Sequence, residues 1–175
     1  MADELTENEY KAFSWIKGEM GQHIVEKKFF SNLDKEIEII DGHKPHIFSN
    51  FDPHESYKPQ HLDIVGIDRR NNEMKFICEV KTTITTNKVF SANGLCMFFM
   101  EKAKEKNIPI HFAVVRLNRD LDKRIIKSCN AEGECEVDEE LYNAEFEYFL
   151  KNAKIEFYNE NEFEMKNNKF IIKQQ

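Results

Sequence analysis

Apolar residues recur at Phe13, Ile16, Met20 and Ile24 of TENEYKAFSWIKGEMGQHIVEKKFFSNL, a spacing of three and four that lays them along one side of an α-helix. Thr6 and Glu9 stand ahead of them at capping-box spacing, where hydroxyl and carboxylate can each take a backbone N–H that the first turn leaves free. A first helix is therefore predicted. Gly18 and Gly21 fall inside it. At about 1 kcal/mol each against Ala, they either interrupt the helix or mark a place where something packs close. EIEIIDG, 36–42, changes the period to two and ends on glycine, which reads as a strand running into a turn.

HKPHIFSNFDPHESYKPQ, 43–60, holds three of the four prolines together with Asn, Asp and Ser and reads as a long irregular connection. HLDIVGIDRRNNEMKFICEVKTT is the clearest hairpin: two β-rich runs, 61–68 and 74–83, around the polar turn RRNNE. NGLCMFFMEKAKEKN then predicts a helix, and IPIHFAVVRL a strand covered on both faces. The order to this point is helix, three strands, helix, strand. Beyond Asn118 the pattern weakens. LDKRIIKS predicts a short helix, VDEELYNAEFEYFLKNA a longer one, and IEFY and KFIIK two short strands. A chain of 175 residues organised in this way is most economically one α/β domain, with a core over 1–128 and an acidic α+β extension, 129–175, packed on it.

The net charge of −7 argues against a phosphate-rich partner, but it averages two unlike parts. Between Lys58 and Lys127 there are 14 Lys and Arg against 8 Asp and Glu, while the rest of the chain has 11 against 24. The acidic stretch 132–164 reads first as a solvated helix face and is expected to point away from any phosphate-binding cleft. Cys78, Cys96, Cys129 and Cys135 form no C-x-x-C pair and follow no secretory signal, so reduced thiols and a soluble, cytoplasmic chain are expected. No run approaches the roughly 18 apolar residues of a membrane helix, so no membrane partner is expected.

Within the hairpin, FICEVKTT carries two charged residues in an otherwise apolar β-run. Successive strand residues alternate faces, so Glu79 and Lys81 share one face and Cys78 and Val80 the other. Acid-x-Lys by itself means little: about four occurrences are expected by chance, and five are present. Context separates Glu79, because Asp63 occurs one hairpin arm earlier in HLDIVGI. A carboxylate in a core strand costs several kcal/mol unless it is paired or bound to a cation, so two on adjacent strands suggest a shared one. Mg²⁺ suits hard oxygen ligands, with Mn²⁺ able to substitute; Asp63 and Glu79 would hold it, with the Val80 carbonyl as a third ligand. Lys81 would then orient or activate water, or neutralise charge on a phosphate, and the chemistry implied is phosphodiester hydrolysis.

These residues resemble the PD-(D/E)xK, or restriction endonuclease-like, nuclease superfamily. The resemblance implies an αβββαβ core whose central mixed sheet is flanked by helices, with an Asp on the second strand and (D/E)-x-K on the third. Asp63, Glu79 and Lys81 fall on those positions. The Pro that commonly precedes the Asp is missing, Pro59 lying four residues upstream in KPQHLD. EVKTT, the helix after it and HFAVVRL look like a subgroup of small bacterial and archaeal members met in restriction or phage defence. Many of these carry G-E-x-x-V in the first helix. Here the segment is GQHIV, with Gln22 in the acid's place and Glu19 and Glu26 a turn before and after it, so all three join the candidate site. His61, two residues before Asp63 on the same predicted strand face, is a further candidate.

Blander readings exist for each feature. Asp63 and Glu79 could form a cross-strand ionic cluster with Lys81 and a nearby Arg. His43, His46, His54 and His61 are loosely spaced, with no Cys beside them, and read as loop or surface histidines. The 15 Phe read as core. No Ser or Cys nucleophile signature and no phosphate-cradling glycine loop is found. The expected partner is nucleic acid, DNA before RNA, with Arg69, Arg70, Lys88, Arg116 and Arg119 as phosphate contacts. A two-fold homodimer would be the simplest way to cut both strands. The alternative from a different class is a catalytically inactive nuclease-like module that binds nucleic acid or a protein partner.

Overall fold

The computed structural model describes residues 4–52 and 62–174. The chain folds as a mixed α/β protein, with three α-helices among the described residues and a mixed central sheet. Helix α1, Glu7–Phe29, begins with both capping-box hydrogen bonds between Thr6 and Glu9. It runs through Gly18 and Gly21 without a break. Gly21 is the close contact: a Cβ there would come within 1.8 Å of Thr82 Oγ1, so the helix lies directly on the strand that carries Thr82.

Strands β1 (Ile37–Asp41), β2 (Ile64–Asp68) and β3 (Glu73–Thr83) form an antiparallel meander. After the short β4 (Val89–Ser91) and helix α2 (Gly94–Glu105), strand β5 (Ile110–Arg116) pairs parallel to β3. A helical crossover suits that parallel return. The sheet order is β1-β2-β3-β5-β8, with β8 (Lys154–Asn159) antiparallel on the outer edge of β5. Each face has its own core. One, under α1 and helix α3 (Glu139–Asn152), includes Ile16, Met20, Ile64, Cys78, Val80 and Phe149; the other, under α2, includes Val65, Ile77, Phe99, Phe112 and Phe170.

Past Asn118 the structure departs from the sequence pattern. LDKRIIKS forms a single 3-10 turn and then β6 (Ile126–Cys129), paired with β7 (Cys135–Val137). The register of that hairpin sets Cys129 opposite Cys135, with Cα atoms 4.0 Å apart, and the two form a disulfide. This corrects the expectation of four reduced thiols; the spacing of six is uninformative until a hairpin folds it. Cys78 and Cys96 are free and buried. A further unforeseen strand, β9 (Phe163–Lys166), pairs with β10 (Lys169–Ile172), and β10 in turn with β4. Asn167 and Asn168 make the turn with φ of 51° and 55°, the paired positive angles of a two-residue hairpin. Phe170 stacks on Phe112 at 4.8 Å and fixes this small sheet to the central one. Residues 129–175 therefore supply β8 to the central sheet and two strands to the second. Among the described residues no helix is long and apolar enough to cross a membrane.

Candidate active site

Two carboxylates are brought together where β2 begins. Asp63 lies in a bend just before Ile64, and the ladder partner of Ile64 is Cys78, so one step further Asp63 stands opposite Glu79. Because β2 has ended its pairing there, the next donor of β3 is free, and the Val80 N–H donates to Asp63 Oδ2 at 2.9 Å. Glu79, two residues along from Ile77, takes the α2 side of the sheet. It is 6% exposed, and among the described residues its Oε2 has no hydrogen-bond partner. Asp63 and the Cys96 thiol of α2 adjoin the same carboxyl. Burial first, and the charge of Asp63 second, push the Glu79 carboxyl well above the usual carboxylate range, with Lys81 pulling the other way.

Lys81 follows on the same face, half-buried, with Nζ 6.0 Å from the centre of the Phe170 ring. Among the described residues neither Lys81 nor any arginine forms an ion pair with Asp63 or Glu79. The partner Asp63 does have is His43, whose Nε2 lies 3.7 Å from Oδ1 while Nδ1 lies 3.5 Å from Asp41. The sequence pattern groups His43 with surface histidines; no local signal marks it, since the turn after β1 is what carries it to Asp63. His46 instead bonds Asn72, and His54 and His61 lie outside the described residues.

An open groove of about 660 Å³ passes between α1 and the end of β1. Trp15, Gly18, Glu19, Gln22 and Glu26 line it from the helix, Asp41 and His43 from the opposite side, and Asp63 and Val80 from the sheet. Gln22 donates to the Asp63 carbonyl at 2.8 Å and lies 3.4 Å from Glu26. It thus holds the backbone of the site from α1. The groove is lined by no residue of 132–164; Tyr142 of that stretch places its hydroxyl 3.0 Å from Nδ1 of the groove residue His23. Burial, then the charges of Glu19 and Glu26, hold the Tyr142 hydroxyl up at about 12.

Four of the five expected phosphate contacts are already engaged with carboxylates. Arg69 pairs with Glu38 at 3.0 Å, and Arg70 with Asp68 at 2.6 Å, holding that carboxyl down at about 2. Both sit at the β2–β3 turn, six and seven residues from Asp63 along the strand, or roughly 20 Å. Arg116, beside Thr83 in the register, pairs with Glu156 at 2.6 Å and donates to the Thr85 and Asn87 carbonyls. Arg119 makes two 2.8 Å bonds to the buried Glu145 and lies over Tyr148. Only Lys88 of the five has no ion pair among the described residues. Net positive charge in a segment does not make a free cationic face when its arginines are paired, here by Glu38, by Asp68 of the same segment, and by Glu145 and Glu156 of the acidic stretch.

Among the described residues no three His, Cys, Asp or Glu side chains are grouped to hold a metal ion. Mg²⁺ asks for less: one or two carboxylates, with water and substrate oxygen completing its shell. Asp63 and Glu79 fit that demand, since a divalent cation would satisfy the orphaned Oε2 and relieve the repulsion between the two groups. Comparisons with models of protein families and with curated proteins give no match for this chain.

Proposed function

We propose that the chain is a Mg²⁺-dependent nuclease of restriction endonuclease-like architecture that hydrolyses phosphodiester bonds, in DNA rather than RNA, in a restriction or phage-defence setting. The observation that carries this reading is the unpartnered, buried Glu79 Oε2 beside Asp63, with Lys81 next along the same strand face. Among the described residues the order α1-β1-β2-β3-α2-β5, with the three-residue β4 inserted before α2 and paired in another sheet, supports it, because it parallels the αβββαβ core of the superfamily that the motif resembles.

Asp63 and Glu79 would hold the cation, with the Val80 carbonyl adjoining them. When bound, the metal supplies Lewis acidity and lowers the cost of charge on a phosphate oxygen. The chain's own residues do the rest. The Val80 N–H and Gln22 fix the Asp63 carboxylate and backbone, so the acid is already placed before substrate arrives. Lys81, which pairs with neither carboxylate, is available to orient the attacking water or to stand against developing negative charge. Burial of Glu79 keeps bulk water from competing for its oxygen.

Incubating the protein with supercoiled plasmid, single-stranded DNA and RNA in Mg²⁺ or Mn²⁺ tests the proposal. Cleavage should be lost in both Glu79→Ala and Lys81→Ala, whereas calorimetric Mg²⁺ binding should be lost in Glu79→Ala alone, because only a carboxylate donates oxygen to the metal. Equal loss of metal binding in both variants would refute the assigned roles. The carboxylate-engaged arginines favour one second reading, a module of the same fold that binds without cutting. Metal binding with no cleavage of any substrate would select it.

A further inference from the structure

Trp15, Glu19 and Glu26 recur along α1 at intervals of four and seven, so they stand in one row on the wall of the groove. The row is about 16 Å long, the span of about five residues of extended chain. Trp15 is the only tryptophan in the chain and is 67% exposed. A tryptophan ordinarily buries a large area, and this one leaves its ring to solvent. Ile39, Ile40 and Asp41 of β1 line the same groove. Successive strand residues point to opposite faces, so a groove that touches both Ile39 and Ile40 reaches the edge of the strand itself.

Among the described residues that edge is open, since β1 pairs with β2 and with no other strand. The Arg69 N–H donates to the Glu36 carbonyl at 2.8 Å, which sets the alternation. Glu36, Glu38 and Ile40 turn their backbone groups to β2, and Ile39 and Asp41 turn theirs outward. An unpaired strand edge is a template for another extended chain. Charge decides which chain. Glu19, Glu26, Asp41 and Asp63 line the groove, and among the described residues no Lys or Arg does. His23 comes only within 4.0 Å of Glu19, and Glu26 has the uncharged Gln22 beside it. Nucleic acid is repelled from such a lining, and so is a second copy of this chain, whose net charge is −7. A cationic segment is attracted, and the face of the Trp15 ring adds a place for a guanidinium or ammonium group.

We propose that the groove is the docking site of a basic segment of a partner protein, which adds to β1 as a further strand and sets Arg or Lys side chains against Trp15, Glu19 and Glu26. Backbone bonds to Ile39 and Asp41 hold the segment, and the acidic row selects its charge. The inference stands on the groove and does not depend on the nuclease reading. Glu79 and Lys81 lie on the α2 side of the sheet and do not line the groove; of the three proposed reacting residues Asp63 alone borders it.

The test measures binding by the whole chain in EDTA at low salt. Fluorescein-labelled peptides of alternating Arg and Val, and of alternating Glu and Val, are titrated by anisotropy, with quenching of the single tryptophan as an independent signal. The Arg peptide should bind, the Glu peptide should not, and added salt should weaken the complex. Trp15→Ala should weaken it by roughly 2- to 5-fold, the range for one exposed cation–π contact. Glu19→Gln with Glu26→Gln should weaken it by roughly 2- to 30-fold, the range for two exposed ion pairs. Glu19→Lys with Glu26→Lys should lose the Arg peptide and gain the Glu peptide, which separates a changed groove from a misfolded variant. An Arg peptide with N-methylated backbone amides keeps its charges and loses its strand donors, and should bind at least roughly twofold more weakly. Failure of the Arg peptide to bind, or binding unchanged by these substitutions or by N-methylation, would overturn the inference. Displacement of the peptide by spermine or by an oligothymidylate at equal concentration would overturn it too, assigning the groove to small cations or to nucleic acid. So would self-association of the parent that Trp15→Ala abolishes, which would assign the groove to a second copy.

Discussion

Replacing Glu79 by Gln should make the protein more stable in the absence of divalent metal, which is the opposite of what a buried side chain in a core strand normally shows. The carboxyl is 6% exposed, one of its oxygens has no partner and Asp63 lies against it. An unsatisfied buried acceptor costs about 1–3 kcal/mol, and more when charged. Gln keeps the shape, removes the repulsion and can donate its amide N–H to Asp63. A gain of about 2 kcal/mol is expected, and for a chain of this size each kcal/mol moves the midpoint by roughly 2–4 °C, so thermal unfolding followed by circular dichroism in EDTA should rise by about 4–8 °C. The sign of the pH dependence follows from the raised pKa. With folded pKa above the unfolded value of 4.5, the protonated carboxyl carries no penalty at low pH, and the penalty enters as pH rises through the raised value. The gain from Gln should therefore grow as pH rises from 4.5 toward the raised value and fade as pH falls toward 4.5. Saturating Mg²⁺ should reverse the order, since cation at 100 times its dissociation constant stabilises the parent by about 2.7 kcal/mol. A Glu79→Gln protein less stable than the parent in EDTA at pH 8, or stabilised by Mg²⁺ as much as the parent, would refute the reasoning.

Other expectations bear on how the site is held. Gly21→Val should cost about 1–3 kcal/mol by urea unfolding, because the added Cβ collides with Thr82 Oγ1; Thr82→Ala in the same chain should recover part of that loss, and strict additivity would argue against the contact. Arg119→Ala leaves the Glu145 carboxylate buried at 6% exposure without its two bonds, and should destabilise by about 1–2 kcal/mol, discounted from the 3–5 kcal/mol of a fully buried pair because the guanidinium side chain is 43% exposed. Cys135→Ser should lower stability by about 2 kcal/mol, the loop-closure figure for a bridge spanning six positions, and a reducing agent should lower the parent's midpoint to match while leaving Cys135→Ser unchanged.

Much of what positions the site is local and therefore readable along the chain. The apolar period of 3.6 and the Thr6–Glu9 cap determine α1, and the alternation of β3 puts Glu79 and Lys81 on one face. The turn after Asp68 brings β2 back beside β3, but the register that starts at Asp68–Glu73 would set Asp63 opposite Cys78, and only the one-residue shift beside Gly66 moves it opposite Glu79. Phase along the strand is another matter. Met74 and Phe76 are two apart and should share a face, yet Met74 joins the α2-side core and Phe76 the α1-side core, because the register shifts beside Gly66 and sets exposed Lys75 outside the ladder. Gly66 permits this: a Cβ there would come within 2.2 Å of the Phe76 ring.

Long-range packing settles the remainder. Nothing near Arg69, Arg116 or Arg119 in sequence announces Glu38, Glu156 or Glu145, which lie 31, 40 and 26 positions away. Arg116 and Arg119 of the positive segment are consequently tied to Glu156 and Glu145 of the acidic one instead of standing on an opposed face. The groove is likewise a tertiary object, made by laying α1 against the sheet so that Gln22 reaches Asp63 and Trp15 reaches the same opening. Most element types up to Asn118 and the β2–β3 hairpin itself are written in the order of residues, because they depend on short-range period and turn, whereas the shift that sets Asp63 opposite Glu79 depends on Gly66 meeting Phe76. Which charges stay free, which cysteines join and what surrounds the carboxylates are properties of the folded chain, because they depend on contacts between segments that no local pattern encodes.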